Sequence, residues 1–535
     1  MHGMGYPRGT PKIWEEPMYL GVHAESDPDR PAMIMEDGTG AVTYGELEEA
    51  SNRFAHGLAA LGLVPGDVVA VMLENSIEWG VAWWGTIRSG MYLTPINWHL
   101  VPEEVEYILA NSEAKVLVTG TSTAEPATRA VHDLPGMTLI QVGGGTEAAT
   151  GVVDFGEFLA EQPGTRIAHE LAGAPMFYSS GTTGRPKGIK ARLSGEHPSK
   201  VPGVPYLMVT NFGMREGDRY LNPAPLYHGA PATFSFGAHT IGATSVIMRK
   251  FDPEGALRLL QDERITISQW VPTMFQRMLR LPDEVKGAYN LSSHRVAVHA
   301  ASPCPPAVKA AMIKWWGPIL LEYYGASECG ATVITSEEWL ARPGSVGRPW
   351  NAGTKMAVLD IETREPVGPW EEGLIYFEPL GTHHIEYHKD PEKTASIHHA
   401  GMVTAGDIGY VDDEGYLFLT DRLSNMIISG GVNIYPQEIE FCLGEHPSVA
   451  DVAVFGVPNE EFGEEVKAVV EVVPGTEVGP ELVAELTSYC RAHLAGFKVP
   501  KSIEVVTALP RDENGKLYKR RLRDPYWEDR SSKVI

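Results

Sequence analysis

Residues 178–189 read Tyr-Ser-Ser-Gly-Thr-Thr-Gly-Arg-Pro-Lys-Gly-Ile. The hydroxyls of Ser179, Ser180, Thr182 and Thr183 crowd together with Gly181, Gly184, Gly188 and Lys187 in one turn-prone stretch. Glycine lets the backbone approach a ligand closely and take positive φ. Bare N–H groups and hydroxyls then converge as donors for phosphate oxygens, and Lys187 adds a mobile positive charge. The spacing is not that of a Walker A loop, which needs four residues between its glycines and Ser or Thr after the lysine. Here two residues separate Gly181 from Gly184, and Gly188 follows Lys187. A plain surface hairpin can have this composition too. Apolar residues 174–177 before it and Ile189-Lys190 after it predict a loop between two extended runs.

Three further clusters have chemical content. In Tyr323-Tyr324-Gly325-Ala326-Ser327-Glu328 a glycine turn sets a hydroxyl and a carboxylate beside an aromatic ring. The ring can stack on a purine, the hydroxyl can bond an α-phosphate or carboxylate oxygen, and the carboxylate can hold Mg²⁺. Asp407 sits at a Gly-flanked turn, where a carboxylate can accept from both hydroxyls of a ribose. Lys516 follows Asn514-Gly515 in a turn that opens at Pro510, near the end of the chain. Each has a bland alternative: a tyrosine-lined strand end, an Asp-Gly hairpin, an exposed lysine.

Stepping outward, the elements that must hold these residues alternate. Thr43 precedes Glu46 and a helical apolar pattern at Leu47, Ala50, Phe54, Leu58 and Leu61, which predicts a capped amphipathic helix. Residues 68–73 read as a buried strand, 78–90 as a helix, 92–96 as a strand, 102–110 as a helix and 115–118 as a strand. This order implies right-handed βαβ units and a mostly parallel sheet. Residues 120–175 show weak periodicity and read as peripheral. The alternation resumes through 243–248, 253–261, 265–267, 271–273 and 295–300. Beyond Pro343, short strands at 357–359 and 374–377 suggest a smaller β-rich subdomain. From Leu423 a separate unit of about 110 residues begins, a usual domain size. It has helices at 434–443 and 481–494 and strands at 449–455, 466–473 and 503–506. The expected fold is therefore α/β: a large N-terminal domain (1–422) of two α/β sheet subdomains plus a β-rich subdomain, and a small α+β C-terminal domain (423–535).

A chain of 535 residues exceeds one ordinary core. The net charge of −25 argues against a broad nucleic-acid surface, which needs clustered Lys and Arg. Cys304, Cys329, Cys442 and Cys490 form no CxxC pair, so neither structural zinc nor a disulfide framework is expected. No secretory leader and no apolar run of membrane-spanning length is visible, which fits a cytoplasmic protein with no integral membrane segment. A homodimer is left open.

In this order and over nearly the whole chain, the four motifs resemble the adenylate-forming superfamily of acyl-CoA synthetases, adenylation domains and firefly luciferases. Residues 430–440, Gly-Gly-Val-Asn-Ile-Tyr-Pro-Gln-Glu-Ile-Glu, resemble the loop of the thioester-forming step and favour the acyl-CoA synthetase branch. The resemblance implies ATP, Mg²⁺ and coenzyme A, and a carboxylic acid that becomes first an acyl-adenylate and then a thioester. It also implies roles. Ser179, Ser180, Gly181, Thr182, Thr183, Gly184 and Lys187 would cradle the β- and γ-phosphates, with Thr182 and Glu328 next to Mg²⁺. Tyr324 and Gly325 would face adenine, with Ala301 and Ser302 on its other side. Ser327 would bond the α-phosphate or substrate carboxylate, and Asp407 and Arg422 would hold the ribose. Lys516 would bridge α-phosphate and carboxylate. His228 would stand between the acyl site and the thiol entrance, and Gly430 and Gly431 would let pantetheine pass. The small domain would rotate between the two steps, although Ser424 stands where the family usually has Asp or Lys at the pivot.

His228, Phe234, Trp270, His299 and Gly325 are the candidate lining of the acid pocket. With no obvious cation for a second carboxylate, a hydrophobic monocarboxylic acid is expected. A fatty acid comes first and an aryl or hydroxycinnamate acid close behind. A carrier-protein-loading enzyme, a luciferase-like oxygenase and a non-catalytic nucleotide-binding protein are the rival classes.

Overall fold

The computed structural model describes residues 18–144, 152–179, 186–201, 203–326, 330–350, 354–379, 385–512 and 515–527. Its first sheet has six strands, all parallel, in the order Val152–Asp154, Thr138–Val142, Ala114–Gly120, Val68–Met72, Tyr92–Pro95, Ala174–Pro175. Its central strand Val68–Met72 is buried throughout. Val69 and Val71 enter one apolar cluster, and Val68, Ala70 and Met72 enter another on the opposite face. An unbroken apolar run is what such two-sided burial requires. Three of the six strands come from the weakly patterned region 120–175. Val152–Asp154 and Thr138–Val142 lie at one edge and Ala174–Pro175 at the other, and their mostly half-buried side chains give no alternation to read.

The helix Tyr44–Ala60 starts as expected: Thr43 Oγ1 accepts from the Glu46 N–H (3.2 Å) and Glu46 Oε2 from the Thr43 N–H (2.9 Å). The helix Glu78–Arg88 buries Trp79, Trp83 and Trp84. Trp83 stacks on Phe236 with ring centroids 4.6 Å apart, which fastens the first sheet's layer to the helix Gly229–Ile241 of the second.

The second sheet runs parallel through Pro31–Met35, Thr244–Ile247, Arg219–Asn222, Ile267–Trp270, Val296–His299 and Leu320–Gly325. It then turns antiparallel through Ala331–Thr335 and Ser345–Pro349 and continues into Leu417–Arg422, Asp407–Val411 and Gly373–Phe377. The β-rich part expected as a subdomain is thus hydrogen-bonded to the second sheet through Ser345–Pro349 and Leu417–Arg422. A second departure lies at 271–273. Pro272 takes the first helical position of Pro272–Leu279, where its missing N–H costs nothing, so the alternation ends one residue after the strand.

The C-terminal unit has its own five-stranded sheet, whose strands pair only with one another among the described residues. Val449–Asn459 and Gly463–Val472 form its long antiparallel pair, with Ser502–Val506 parallel to the latter. The helices Pro436–Gly444 and Pro480–His493 close its core through Ile439, Leu443, Leu482 and Leu486. The molecule is a large α/β N-terminal domain with mixed sheets and a smaller α+β C-terminal domain. Among the described residues no helix is long and apolar enough to cross a membrane.

Two fully buried histidines make the fold sensitive to acid. Burial holds His239 and His294 neutral, each with a pKa lowered to about 3. The Trp84 indole donates to His239 Nδ1 (3.1 Å), a bond that also requires an unprotonated ring nitrogen. Both pKa values lie below that of an unfolded histidine, so the unfolded chain binds more protons between about pH 6.5 and 3. Stability is complete above that window and falls as pH drops through it, by about 2 kcal/mol per histidine at pH 5. The melting temperature measured by scanning fluorimetry should therefore drop from pH 7.5 to pH 5, and His294→Gln should flatten part of that slope.

Candidate active site

The chain's chemical residues gather at one edge of the second sheet, where parallel strands end. His228 follows Arg219–Asn222, Thr273 follows Ile267–Trp270, residues 300–302 follow Val296–His299, and Tyr324-Gly325 close Leu320–Gly325. These are neighbouring strands, so the four ends form a continuous rim, the usual place for a ligand in an open α/β sheet. Ala301 has φ +76°, an uncommon conformation for a residue with a Cβ, and turns the chain sharply at the rim. Gly325 lies opposite Ala331 in the antiparallel pair, and a Cβ there would come 2.9 Å from the Ala331 Cβ.

Asp407 is the anchor beside this rim. It lies directly across from Arg422 in the antiparallel pair and is 6 % exposed. Its Oδ1 accepts from Arg422 Nε at 3.0 Å and its Oδ2 from the Tyr324 hydroxyl at 2.6 Å. Residues from two separate motifs, Tyr324 from one and Asp407 and Arg422 from the other, thus meet on one carboxylate. The Tyr324 ring packs 6.2 Å from Phe377.

The glycine-rich loop joins the antiparallel strands Phe177–Ser179 and Lys187–Ala191, the expected loop between extended runs. Ser180, Gly181, Thr182, Thr183 and Gly184 lie outside the described residues, as do Ser327 and Glu328. Lys187 Nζ bonds Asp390 Oδ2 at 2.8 Å. That bond, aided by the Lys393 N–H, holds the Asp390 carboxyl below its usual range. Asp390 also caps the helix Pro391–Ile397. The sequence gives this partner no signal, because 203 residues separate the pair. Since Thr182 and Glu328 are not described, the expected Mg²⁺ pair has no geometry here. Among the described residues no group of three or more His, Cys, Asp or Glu side chains is arranged to hold a cation.

The candidate pocket residues divide between the two faces of the sheet. Phe234 stacks on Tyr323 (centroids 5.8 Å, planes 16° apart) and on Phe212 (5.6 Å), with Gln269 linking the hydroxyls of Tyr220 and Tyr323. Trp270 and His299 are register partners facing the other way. Trp270 packs against Phe251, Phe275 and Trp316, and His299 lies against Phe275 and 3.9 Å from Glu322. The expectation that these two share a pocket wall with Phe234 is therefore corrected. Strand alternation sends residues 269 and 323 to one face and 270, 299 and 322 to the other. Tyr323, Gln269 and Phe212, which sequence reasoning passed over, are the residues gathered around Phe234. On the far face Glu322 accepts from buried Lys309 at 2.6 Å, so neither charge is left unpaired.

The turn that carries Lys516 reaches the rim from the C-terminal domain. It is closed by Asp512: Oδ1 accepts from the Lys516 N–H (2.8 Å), and the Gly515 N–H donates to the Asp512 carbonyl (2.9 Å). Gly515 has φ +76°, and a Cβ placed there would fall 2.0 Å from Thr273 Oγ1. The turn is thus seated directly on the start of Pro272–Leu279. Asp512 Oδ2 also lies 3.4 Å from His228 Nε2. A second seam contact runs from Arg280 to the Ala450 carbonyl at 2.9 Å. Gly430 and Gly431, with φ +57° and +79°, form a two-residue hairpin turn between Ile427–Ser429 and Val432–Ile434. That turn is solvent-exposed on the same domain.

Residues 20–381 match the family model of the AMP-binding enzyme, and residues 438–516 that of the AMP-binding enzyme C-terminal domain. The chain is 32 % identical to the fatty acid–[acyl-carrier-protein] ligase ScoC of Streptomyces coeruleorubidus, over 96 % of each chain. It is also 32 % identical to the long-chain-fatty-acid–CoA ligase FadD13 of Mycobacterium tuberculosis, over 91 % of this chain and 93 % of that one. The crystal structure of ATP-bound MatB from Rhodopseudomonas palustris superposes with a TM-score of 0.81 at 29 % identity, covering 95 % of this chain and 99 % of that one. With both family models matched in order across the two domains, the chain belongs to the AMP-binding enzyme family, in its ATP-dependent acid–thiol ligase branch.

Proposed function

We propose that the protein activates a hydrophobic monocarboxylic acid, a fatty acid first of all, as its acyl-adenylate and then transfers the acyl group to coenzyme A. The observation that carries this reading is the convergence on one sheet edge of the Tyr324–Asp407–Arg422 group and the Lys516 turn, beside an apolar stack at Phe234. A carboxylate is a poor electrophile. Its attack on the α-phosphorus of ATP expels pyrophosphate and leaves a mixed anhydride. The thiol then attacks the acyl carbon, and AMP departs.

In the first step anions must approach one another, so fixed positive charge and donors lower the barrier. Lys516 would carry its ammonium to the α-phosphate and substrate carboxylate. Ser179, Ser180, Thr182, Thr183 and the loop glycines would hold the outer phosphates. Lys187 would add charge there, with Asp390 orienting it. Asp407 and Arg422 would grip the ribose, and Tyr324 and residues 300–302 would enclose adenine. Mg²⁺ held by Thr182 and Glu328 would neutralise phosphate charge. In the second step His228 would border the thiol's path, and the Gly430-Gly431 turn would admit the pantetheine arm.

The stack of Phe212, Phe234 and Tyr323 suits a methylene chain, and it also suits an aromatic ring. An aryl or hydroxycinnamate acid is therefore the second reading. ScoC is a ligase for an acyl-carrier protein, which makes the thiol acceptor the other point to test. A panel of fatty and aromatic acids, scored for pyrophosphate release and for thioester with either coenzyme A or a carrier protein, separates all of these. No pyrophosphate release with any acid would end the reading.

Lys516→Ala should reduce adenylate formation at least about a hundredfold, the scale of losing one transition-state charge contact, while leaving thioester formation from supplied acyl-adenylate nearly intact. Equal losses in both half-reactions would remove the lysine from this role. Asp407→Asn should raise KM for ATP about tenfold with little change in KM for the acid, as expected for loss of one charged hydrogen bond to nucleotide. Steady-state kinetics with each substrate varied in turn would show it.

A further inference from the structure

We infer that Asp512 is the positioning residue of the seam between the domains: it latches the Lys516 turn to His228 and so couples the placement of the lysine to the side chain that guards the thiol's path. This rests on the functional reading above and names a residue that reading does not use.

Asp512 lies in the C-terminal domain, yet its side chain is only 3 % exposed because it is buried against the N-terminal domain. Its partners have different allegiances. Oδ1 accepts from the Lys516 N–H at 2.8 Å and fixes the turn that carries the lysine. Oδ2 accepts from the Tyr518 hydroxyl at 3.2 Å and lies 3.4 Å from His228 Nε2. The Tyr518 hydroxyl in turn contacts Asn97, so Tyr518 touches the N-terminal domain as well. Burial pushes the Asp512 carboxyl up, but its contacts with the His228 ring and with Lys516 outweigh it and hold the group below its ordinary range. The seam therefore closes over a carboxylate that stays charged.

A buried charge that loses its partner is costly, and much of that cost falls on the group left behind. His228 stands immediately before the helix Gly229–Ile241, with its ring 4.5 Å from Tyr227. If it turns aside for a thiol, Asp512 loses a partner and the turn bearing Lys516 keeps only its seat on Thr273 and the Tyr518–Asn97 contact. With the turn seated, His228 is held by Asp512. One carboxylate thus ties the seating of the Lys516 turn to the placement of the histidine.

The test uses the full chain and three variants: Asp512→Asn, His228→Gln and the double substitution. Asn keeps an oxygen for the Lys516 N–H but removes the charge. Asp512→Asn should slow acid-dependent ATP–pyrophosphate exchange about tenfold in kcat, the scale of losing one hydrogen bond to a charged group, and change thioester formation from supplied acyl-adenylate less than about twofold. The double variant should exchange about as slowly as the slower single variant, because the two substitutions remove the same contact. Asp512→Glu should restore part of the exchange rate. Equal loss in both half-reactions, or multiplicative losses in the double variant, would overturn the latch.

A second measurement does not depend on turnover. Spin labels on exposed positions, introduced as Glu284→Cys and Glu477→Cys, report the separation of the domains by pulsed electron resonance. Asp512→Asn should shift the distribution to longer distances, whereas superimposable distributions would overturn the proposal. If the unmodified enzyme released no pyrophosphate with any acid, the functional reading would fall, and the distance measurement would still decide on the latch.

Discussion

A carboxylate removed from water must be given partners, and this requirement shapes the centre of the molecule. Asp407 is nearly buried and still engaged at both oxygens, by Tyr324 from the parallel sheet and by Arg422 from the antiparallel extension. The two parts of the large domain are therefore joined by charge at the point where the second sheet changes character. Leu423 follows Arg422 directly, and its N–H bonds the carbonyl of Gly406 (2.9 Å). The strand that supplies the arginine thus leads straight out of the site towards the small domain. The anchor, the aromatic platform and the exit of the chain form one construction.

The site follows from strand ends. Parallel strands release their chains at a common edge, so residues far apart in sequence become neighbours without any contact specific to them. His228, Thr273, Ala301 and Tyr324 are brought together in this way. The opposite face is filled by Trp270, Phe275, Trp316 and the Lys309–Glu322 pair. That packing holds the strands whose ends make the rim. The rim's geometry is inherited from a core that touches no ligand.

Much of this was legible in residue order. The strand 68–73, the capped helix after Thr43 and the helices of the small α+β unit are written in local patterns of burial and capping and appear within a residue or two of expectation, whereas its long strand pair runs three to four residues further, to Val449–Asn459 and Gly463–Val472. The motifs around Tyr324, Asp407 and Lys516 each left a bland alternative open on their own, and it was their order along the chain that assigned them roles. What could not be read was orientation. Trp270 and His299 are apolar or amphipathic residues at strand ends, and only the register of the sheet tells which way they point. The pairing of Lys187 with Asp390 depends on strands that the chain brings together after 203 intervening residues, and no local pattern encodes it. Asp512 was visible in its motif but mute, since its partner His228 lies in the other domain.

The seat of Gly515 against Thr273 has an evolutionary consequence. The position leaves no room for a methyl group and also requires a backbone conformation in which side chains are strained. Residues 273 and 515 belong to different domains and could otherwise drift independently. Here a larger residue at either position is tolerated only if the other yields, so among descendants of this chain the two sites should change as a pair or not at all.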